Sequence, residues 1–126
     1  MKRIAILGST GSIGRSALSV VASPRDRVQV VGLAAGQNVD LFAQQVHQFK
    51  PTVVSLASPE AVECLRGSGV LGQAVIAHGE DGLTEVATHP NVDLVLCASS
   101  GTAALGATLA AIEAGKTIAL ANKEVL

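Results

Sequence analysis

Short aliphatic, β-branched runs alternate with stretches of helical periodicity along this 126-residue chain. Lys2 to Leu7, Val28 to Leu33, Thr52 to Leu56, Ala74 to Ala77, Val92 to Cys97 and Thr117 to Leu120 predict strands. Several are apolar on both alternating faces, which predicts burial on both sides of a sheet covered by helices. Between them, Ser12 to Ala22 predicts a first helix with Ile13, Ala17, Val20 and Val21 inward, ended near Ser23-Pro24 because proline cannot continue the backbone bonding. A second helix is expected from Asn38, a good N-cap. It carries Val39, Phe42, Ala43, Val46 and Phe49 as an inner stripe before Pro51. Further helices are expected over Pro59 to Arg66, Glu80 to Thr88 and Thr102 to Ala114. The last has Leu105, Leu109 and Ile112 inward and Gly115 at its C′ position. Gly67-Ser68-Gly69 and His78-Gly79 are expected in surface loops. The alternation as a whole predicts a single α/β domain: Rossmann-like, doubly wound, with a mainly parallel sheet and helices on both faces.

Composition narrows the chemistry. Apolar residues make up 48% of the chain, yet Phe42 and Phe49 are its only aromatic side chains, so the core must be aliphatic and alanine-rich. The formal charge of −1, without any block of like charge, offers no basic footprint for nucleic acid. Cys64 and Cys97 lie outside any CxxC or metal-ligand spacing, and isolated thiols fit a reducing cytoplasm. Too few apolar residues follow Met1-Lys2-Arg3 for a secretory signal. The uncharged stretch from Leu94 to Ile112 is split by Ala98-Ser99-Ser100-Gly101-Thr102 into a strand and a helix, so no membrane span is expected.

The strongest candidate chemistry follows the first strand directly. Gly8, Gly11 and Gly14, in Gly-Ser-Thr-Gly-Ser-Ile-Gly, stand between a strand and a helix, the context a dinucleotide fingerprint requires. Their spacing is GxxGxxG rather than GxGxxG. Either spacing provides a tight turn, backbone that approaches phosphate without a Cβ, and free N–H groups at a helix N-terminus. Thr10 and Ser12 add hydroxyl donors. The plainer alternative is a glycine-rich turn with no ligand. A phosphate-loop NTPase would need GxxxxGK[ST], and Ser9 and Arg15 stand where that pattern requires glycine and lysine.

An NAD enzyme usually places an acidic residue at the end of the second strand. Here Ala34-Ala35-Gly36-Gln37-Asn38 carries none, and the helix start at Asn38 could receive a 2′-phosphate, so NADP is favoured over NAD. Asn38 could equally serve only as a helix cap. At the other end of the chain, Asn122-Lys123-Glu124 follows a buried-looking strand where ligands of open α/β sheets bind, although an ordinary solvated helix start has the same composition. His47, His78 and His89 have no partners at catalytic or metal-ligand spacing and receive no role, and Cys97 reads as core. A noncatalytic dinucleotide-binding module and another NADP reductase, such as a semialdehyde dehydrogenase with a catalytic cysteine, remain as alternatives.

Taken in order, Leu7-Gly8-Ser9-Thr10-Gly11-Ser12-Ile13-Gly14, Ala35-Gly36-Gln37-Asn38 and Ala114 through Ala121-Asn122-Lys123-Glu124 resemble the 1-deoxy-D-xylulose 5-phosphate reductoisomerase family. The resemblance implies an NADPH-dependent enzyme of non-mevalonate isoprenoid synthesis, typically a homodimer, that uses a divalent metal, Mg or Mn, and a phosphorylated sugar substrate. By position it implies that Thr10, Gly11, Ser12 and Ile13 contact the pyrophosphate of NADPH. Gly36, Gln37 and Asn38 would meet its 2′-phosphate region, Asn122 and Glu124 its nicotinamide side, and Lys123 the substrate. The family commonly has a basic residue where Gln37 stands, which implies weaker NADP preference here. Its metal-binding acidic cluster would lie beyond Leu126, so these residues are expected to be a cofactor-binding domain that binds NADPH without catalysing the reaction alone.

Overall fold

A computed structural model describes residues 2–22, 28–99 and 104–120 of the chain. They form β1 (Lys2–Leu7), α1 (Ser12–Val21), β2 (Val28–Ala34), α2 (Val39–Phe49), β3 (Val53–Leu56), α3 (Pro59–Ser68), β4 (Val75–His78), α4 (Gly79–Thr88), β5 (Leu94–Cys97), α5 (Leu105–Glu113) and β6 (Thr117–Leu120). The six strands make one sheet in the order β4-β3-β2-β1-β5-β6, and every described pair is parallel. The chain therefore winds outward from β1 through β2 and β3 to β4, then returns by α4 to start again at β5 on the other side of β1. That reversal makes the crevice between β1 and β5 a topological switch point, where ligands of such sheets bind.

Two separate cores confirm the doubly wound arrangement. On one face, Ile4 and Ile6 of β1, Leu33 of β2 and Val54 and Leu56 of β3 pack with Leu18 of α1, Phe42 and Val46 of α2 and Leu65 of α3. On the other, Ala5, Leu7, Val31, Val53, Val95 and Cys97 pack with Val86 and Ala87 of α4 and Ala104, Ala107 and Ala111 on or beside α5. Alternate residues of β1 thus enter opposite cores, as the period-2 geometry of a strand requires. A register shift between Ile4 and Ala5 leaves Val31 as an extra residue in β2 and sends Val30 and Leu33 to the same face.

The helices depart from the expected faces in two places. In α1, Gly14 and Leu18 are the buried residues, with Ala17 and Val21 packed beside them, whereas Ile13 and Val20 are 42% and 64% exposed. Positions 14, 17, 18 and 21 make one helical stripe, and Ile13 and Val20 sit one residue, about 100°, off it. In α5 the expected face is inverted. Ala107, Thr108 and Ala111 turn inward, and Leu105, Leu109 and Ile112 are 44%, 53% and 54% exposed. Small inward side chains let α5 approach the sheet and α4 closely, which the large aliphatic residues would prevent. Gly67 and Ser68 belong to α3, and Gly69 caps it in the left-handed conformation at φ 77°. His78 and Gly79 likewise end β4 and begin α4 rather than forming a loop. The expected helix start at Thr102 lies outside the described residues.

At the ends of β1 and β5 away from the crevice, Arg3 and Asp93 clamp the strands together. Arg3 Nε and Nη2 donate to the two carboxylate oxygens of Asp93 at 3.2 Å each, and the Arg3 backbone N–H adds a bond at 3.1 Å. Hydrogen bonds from the Arg3 side chain and backbone hold the Asp93 carboxyl below its ordinary range, and the same pairing raises Arg3.

Candidate functional site

The turn after β1 is shaped by contacts that leave no room for side chains. Gly8 takes φ +92°, and a Cβ there would lie 2.6 Å from the backbone nitrogen of Ser99, two residues beyond β5. A Cβ on Gly14 would strike the carbonyl oxygen of Gly8 and come within 2.7 Å of Ser9 Cα. Glycine at these two positions therefore permits the left-handed turn and brings α1 down onto it. The turn is tied to β2 as well: the amides of Gly8 and Ser9 both donate to Ala34 O, at 2.8 and 3.0 Å.

The N-terminus of α1 that this turn presents has no side-chain cap, its N-cap being Gly11. Arg15 N donates to Gly11 O at 2.9 Å, the first main-chain bond of the helix. Among the described residues the amides of Thr10, Ser12, Ile13 and Gly14 have no main-chain acceptor outside the helix. Gly11, Ser12 and Ile13 are exposed, and a Cβ on Gly11 would meet nothing closer than Gly8 O at 3.7 Å. Uncapped main-chain donors at the positive end of a helix, on a turn whose Gly11, Ser12 and Ile13 are exposed, are a fit for an anionic pyrophosphate. Arg15 Nε lies 3.4 Å from Gly11 O, so its positive charge is drawn toward this same turn.

Gly36, Gln37 and Asn38 stand beside it, beyond the end of β2, and all three are exposed. Gly36 O accepts from Ala57 N at 3.1 Å and Ala35 N donates to Ser55 O at 3.0 Å, which fasten the segment to β3 and the loop after it. Asn38 caps α2, its Oδ1 accepting from Leu41 N at 3.3 Å. Ser58 caps α3 through a bond from Ala61 N and donates its hydroxyl to Gln37 Oε1 at 3.3 Å. The Gln37 carbonyl is thereby engaged, and its NH2 is the part left to donate to an incoming group. No acidic side chain lies within residues 34–38, and a Cβ on Gly36 would meet nothing within 4 Å.

Asn122, Lys123 and Glu124 fall outside the described residues. Among those described, no group of three or more His, Cys, Asp or Glu could hold a metal ion, and no helix is long and apolar enough to cross a membrane. Cys97 is fully buried in the core, which removes it as a nucleophile, and Cys64 is exposed. His89 serves locally: its Nδ1 accepts from Asn91 N at 3.1 Å, and its carbonyl accepts from Lys116 Nζ at 2.9 Å.

Two residues near the turn escape a reading of the sequence. Ser99 presses its backbone against Gly8, and its buried Oγ has no hydrogen-bond partner among the described residues. Gln45 lies on the inner side of α2 and reaches Ser9. A polar residue between Phe42 and Val46, inside an apolar stripe, was the available signal for Gln45.

The profile of the 1-deoxy-D-xylulose 5-phosphate reductoisomerase family matches residues 4–126. The enzyme of that name from Anaeromyxobacter sp. (strain K) is 51% identical over 124 residues, covering 98% of this chain and 32% of the relative. One from Bacillus thuringiensis subsp. konkukian is 47% identical over 126 residues, covering 100% and 32%. The Zymomonas mobilis reductoisomerase solved with NADPH superposes with a TM-score of 0.88 at 39% identity, covering 99% of this chain and 33% of that one. A reductoisomerase solved with NADPH, fosmidomycin and magnesium gives a TM-score of 0.90 at 36% identity, covering 98% and 31%. The chain thus spans about a third of the length of the curated relatives it matches. With the glycine turn, the parallel doubly wound sheet and nearly the whole of its length matched, the chain belongs to the 1-deoxy-D-xylulose 5-phosphate reductoisomerase family.

Proposed function

We propose that these residues are the NADPH-binding part of an enzyme that rearranges 1-deoxy-D-xylulose 5-phosphate and reduces the product to 2-C-methyl-D-erythritol 4-phosphate. The observation that carries this reading is the uncapped N-terminus of α1, presented by the glycine turn at the crevice between β1 and β5. In this reading Thr10, Gly11, Ser12 and Ile13 hold the pyrophosphate, while Gly8 and Gly14 shape the turn beneath it. Gly36, the Gln37 amide and Asn38 receive the adenosine 2′-phosphate. Without a carboxylate there to repel a phosphate, NADPH is preferred to NADH, and the neutral Gln37 makes that preference modest. Asn122 and Glu124 border the nicotinamide, and Lys123 binds the phosphorylated sugar.

When bound, the cofactor supplies the hydride for the reduction. The chain's own residues hold it in place by main-chain donors, which fix the reacting end against the substrate without spending a charged side chain on each phosphate oxygen. This reading assigns acid–base chemistry and a divalent metal, Mg or Mn, to a further part of the enzyme, in keeping with a chain that spans about a third of the length of its relatives. The same reading makes the enzyme a cytoplasmic homodimer that acts on a small phosphorylated sugar and uses neither nucleic acid nor membrane as a partner. Titration of the protein with NADPH and NADH tests the cofactor assignment. Saturable binding with NADPH the tighter is expected, and no binding of either at millimolar concentration would overturn it.

A further inference from the structure

Gln45 puts an amide where packing alone would favour an apolar side chain. It is 6% exposed, one residue before the buried Val46 and three after the fully buried Phe42. Its partner is Ser9, also fully buried, in the middle of the glycine turn. Ser9 Oγ donates to Gln45 Oε1 at 2.7 Å, and Gln45 Nε2 donates to Ser9 O at 2.9 Å. Because a carbonyl only accepts, the second contact fixes which end of the amide faces the turn. With Ser9 N bound to Ala34 O at 3.0 Å, all three polar groups of Ser9 are engaged, two of them by one side chain.

A trans peptide points its C=O and N–H in opposite directions. Ser9 O and Thr10 N belong to the same peptide. Drawing that carbonyl inward to α2 turns the Thr10 amide outward, away from the core, and Thr10 N has no described main-chain acceptor. We propose that Gln45 is a positioning residue for dinucleotide binding, which sets the Ser9–Thr10 peptide so that the Thr10 amide and those of α1's first turn face the pyrophosphate. The inference rests on the reading of the turn as the pyrophosphate site. A buried amide with both ends paired holds one orientation, since releasing either end strands a polar group in the core. An apolar residue of equal volume would fill the space and leave the peptide free to rotate.

The test uses the full-length protein with Gln45→Met, which keeps the volume and removes both bonds. Gln45→Glu accompanies it, keeping the shape but setting a carboxylate oxygen against Ser9 O. Dissociation constants for NADPH and NADH, measured by fluorescence titration well below the melting temperatures, should both rise about tenfold with their ratio unchanged. Turnover at saturating NADPH should stay within about twofold. Ser9→Ala removes the hydroxyl that pairs with Gln45 Oε1 but keeps the bond from Gln45 Nε2 to the carbonyl, so its dissociation constants should rise by clearly less than those of Gln45→Met. A lower melting temperature with unchanged dissociation constants would reduce Gln45 to a packing residue and overturn the proposal. So would a loss confined to NADPH, or a loss in Ser9→Ala as large as in Gln45→Met. If Gln45→Met does not fold, Gln45→Glu carries the same comparison. A parent protein that binds neither dinucleotide would refute the reading of the site itself, and the two failures are thereby distinct.

Discussion

The turn from Gly8 to Gly14 and the segment from Gly36 to Asn38 lie side by side at the edge of the sheet, yet they are built by opposite means. The turn is constrained from below. Backbone atoms of Ser9 and Ser99 occupy the space where side chains would be, and Ser9 is wholly enclosed. The neighbouring segment is open: Gly36 has nothing within 4 Å of a would-be Cβ, and among the described residues the Gln37 side chain is held by a single exposed bond from Ser58. Under the proposed function the first binds what NADPH and NADH share, and the second meets what distinguishes them. Affinity then comes from a rigid, preorganised backbone and selectivity from adjustable surface side chains.

Gly14→Ala should break the comparison most severely. Its Cβ would collide with the Gly8 carbonyl, so α1 must lift from the turn, and binding of both cofactors should fall by at least about a hundredfold in a titration, with a lower melting temperature. Gln37→Arg should sharpen it. A charge-assisted contact adds on the order of 1 kcal/mol over a neutral one, so NADPH affinity should rise several-fold while NADH affinity stays unchanged. Gly36→Ala should leave thermal stability within about 0.5 kcal/mol, since the Cβ enters open space, yet weaken NADPH a few-fold by occupying the room intended for the 2′-phosphate.

Asp93→Asn should have the smallest effect, at the far ends of the strands. Arg3 lowers the folded pKa of Asp93, so the pair stabilises the fold above the unfolded value of about 4 and loses that contribution as pH falls through the folded value. The variant should melt slightly lower than the parent at neutral pH, and the gap should close in acid. Its cofactor affinity at neutral pH should match the parent's.

Much of this was legible in the order of residues. An apolar strand followed at once by Gly8, Gly11 and Gly14 announces its turn, and Asn38 and Pro51 bracket α2 because capping and proline act locally. The faces of α1 and α5 were not legible in the same way. Periodicity identified both helices, but in α5 two apolar stripes compete, and the alanine stripe won because the space above the sheet is narrow. That is a property of the assembled layers, not of the segment. Gln45 was missed for a related reason: its partner lies 36 residues away, and only the packing of α2 against the turn brings them together.

Under the proposed function, the main-chain amides of the turn, rather than side chains elsewhere, hold the dinucleotide. Amide hydrogen exchange resolved by residue, with and without saturating NADPH, tests it most directly. New protection is expected at Thr10, Ser12, Ile13 and Gly14, with a smaller change at Gly36 to Asn38. Saturable NADPH binding that leaves the exchange of residues 10 and 12–14 unaltered would contradict it.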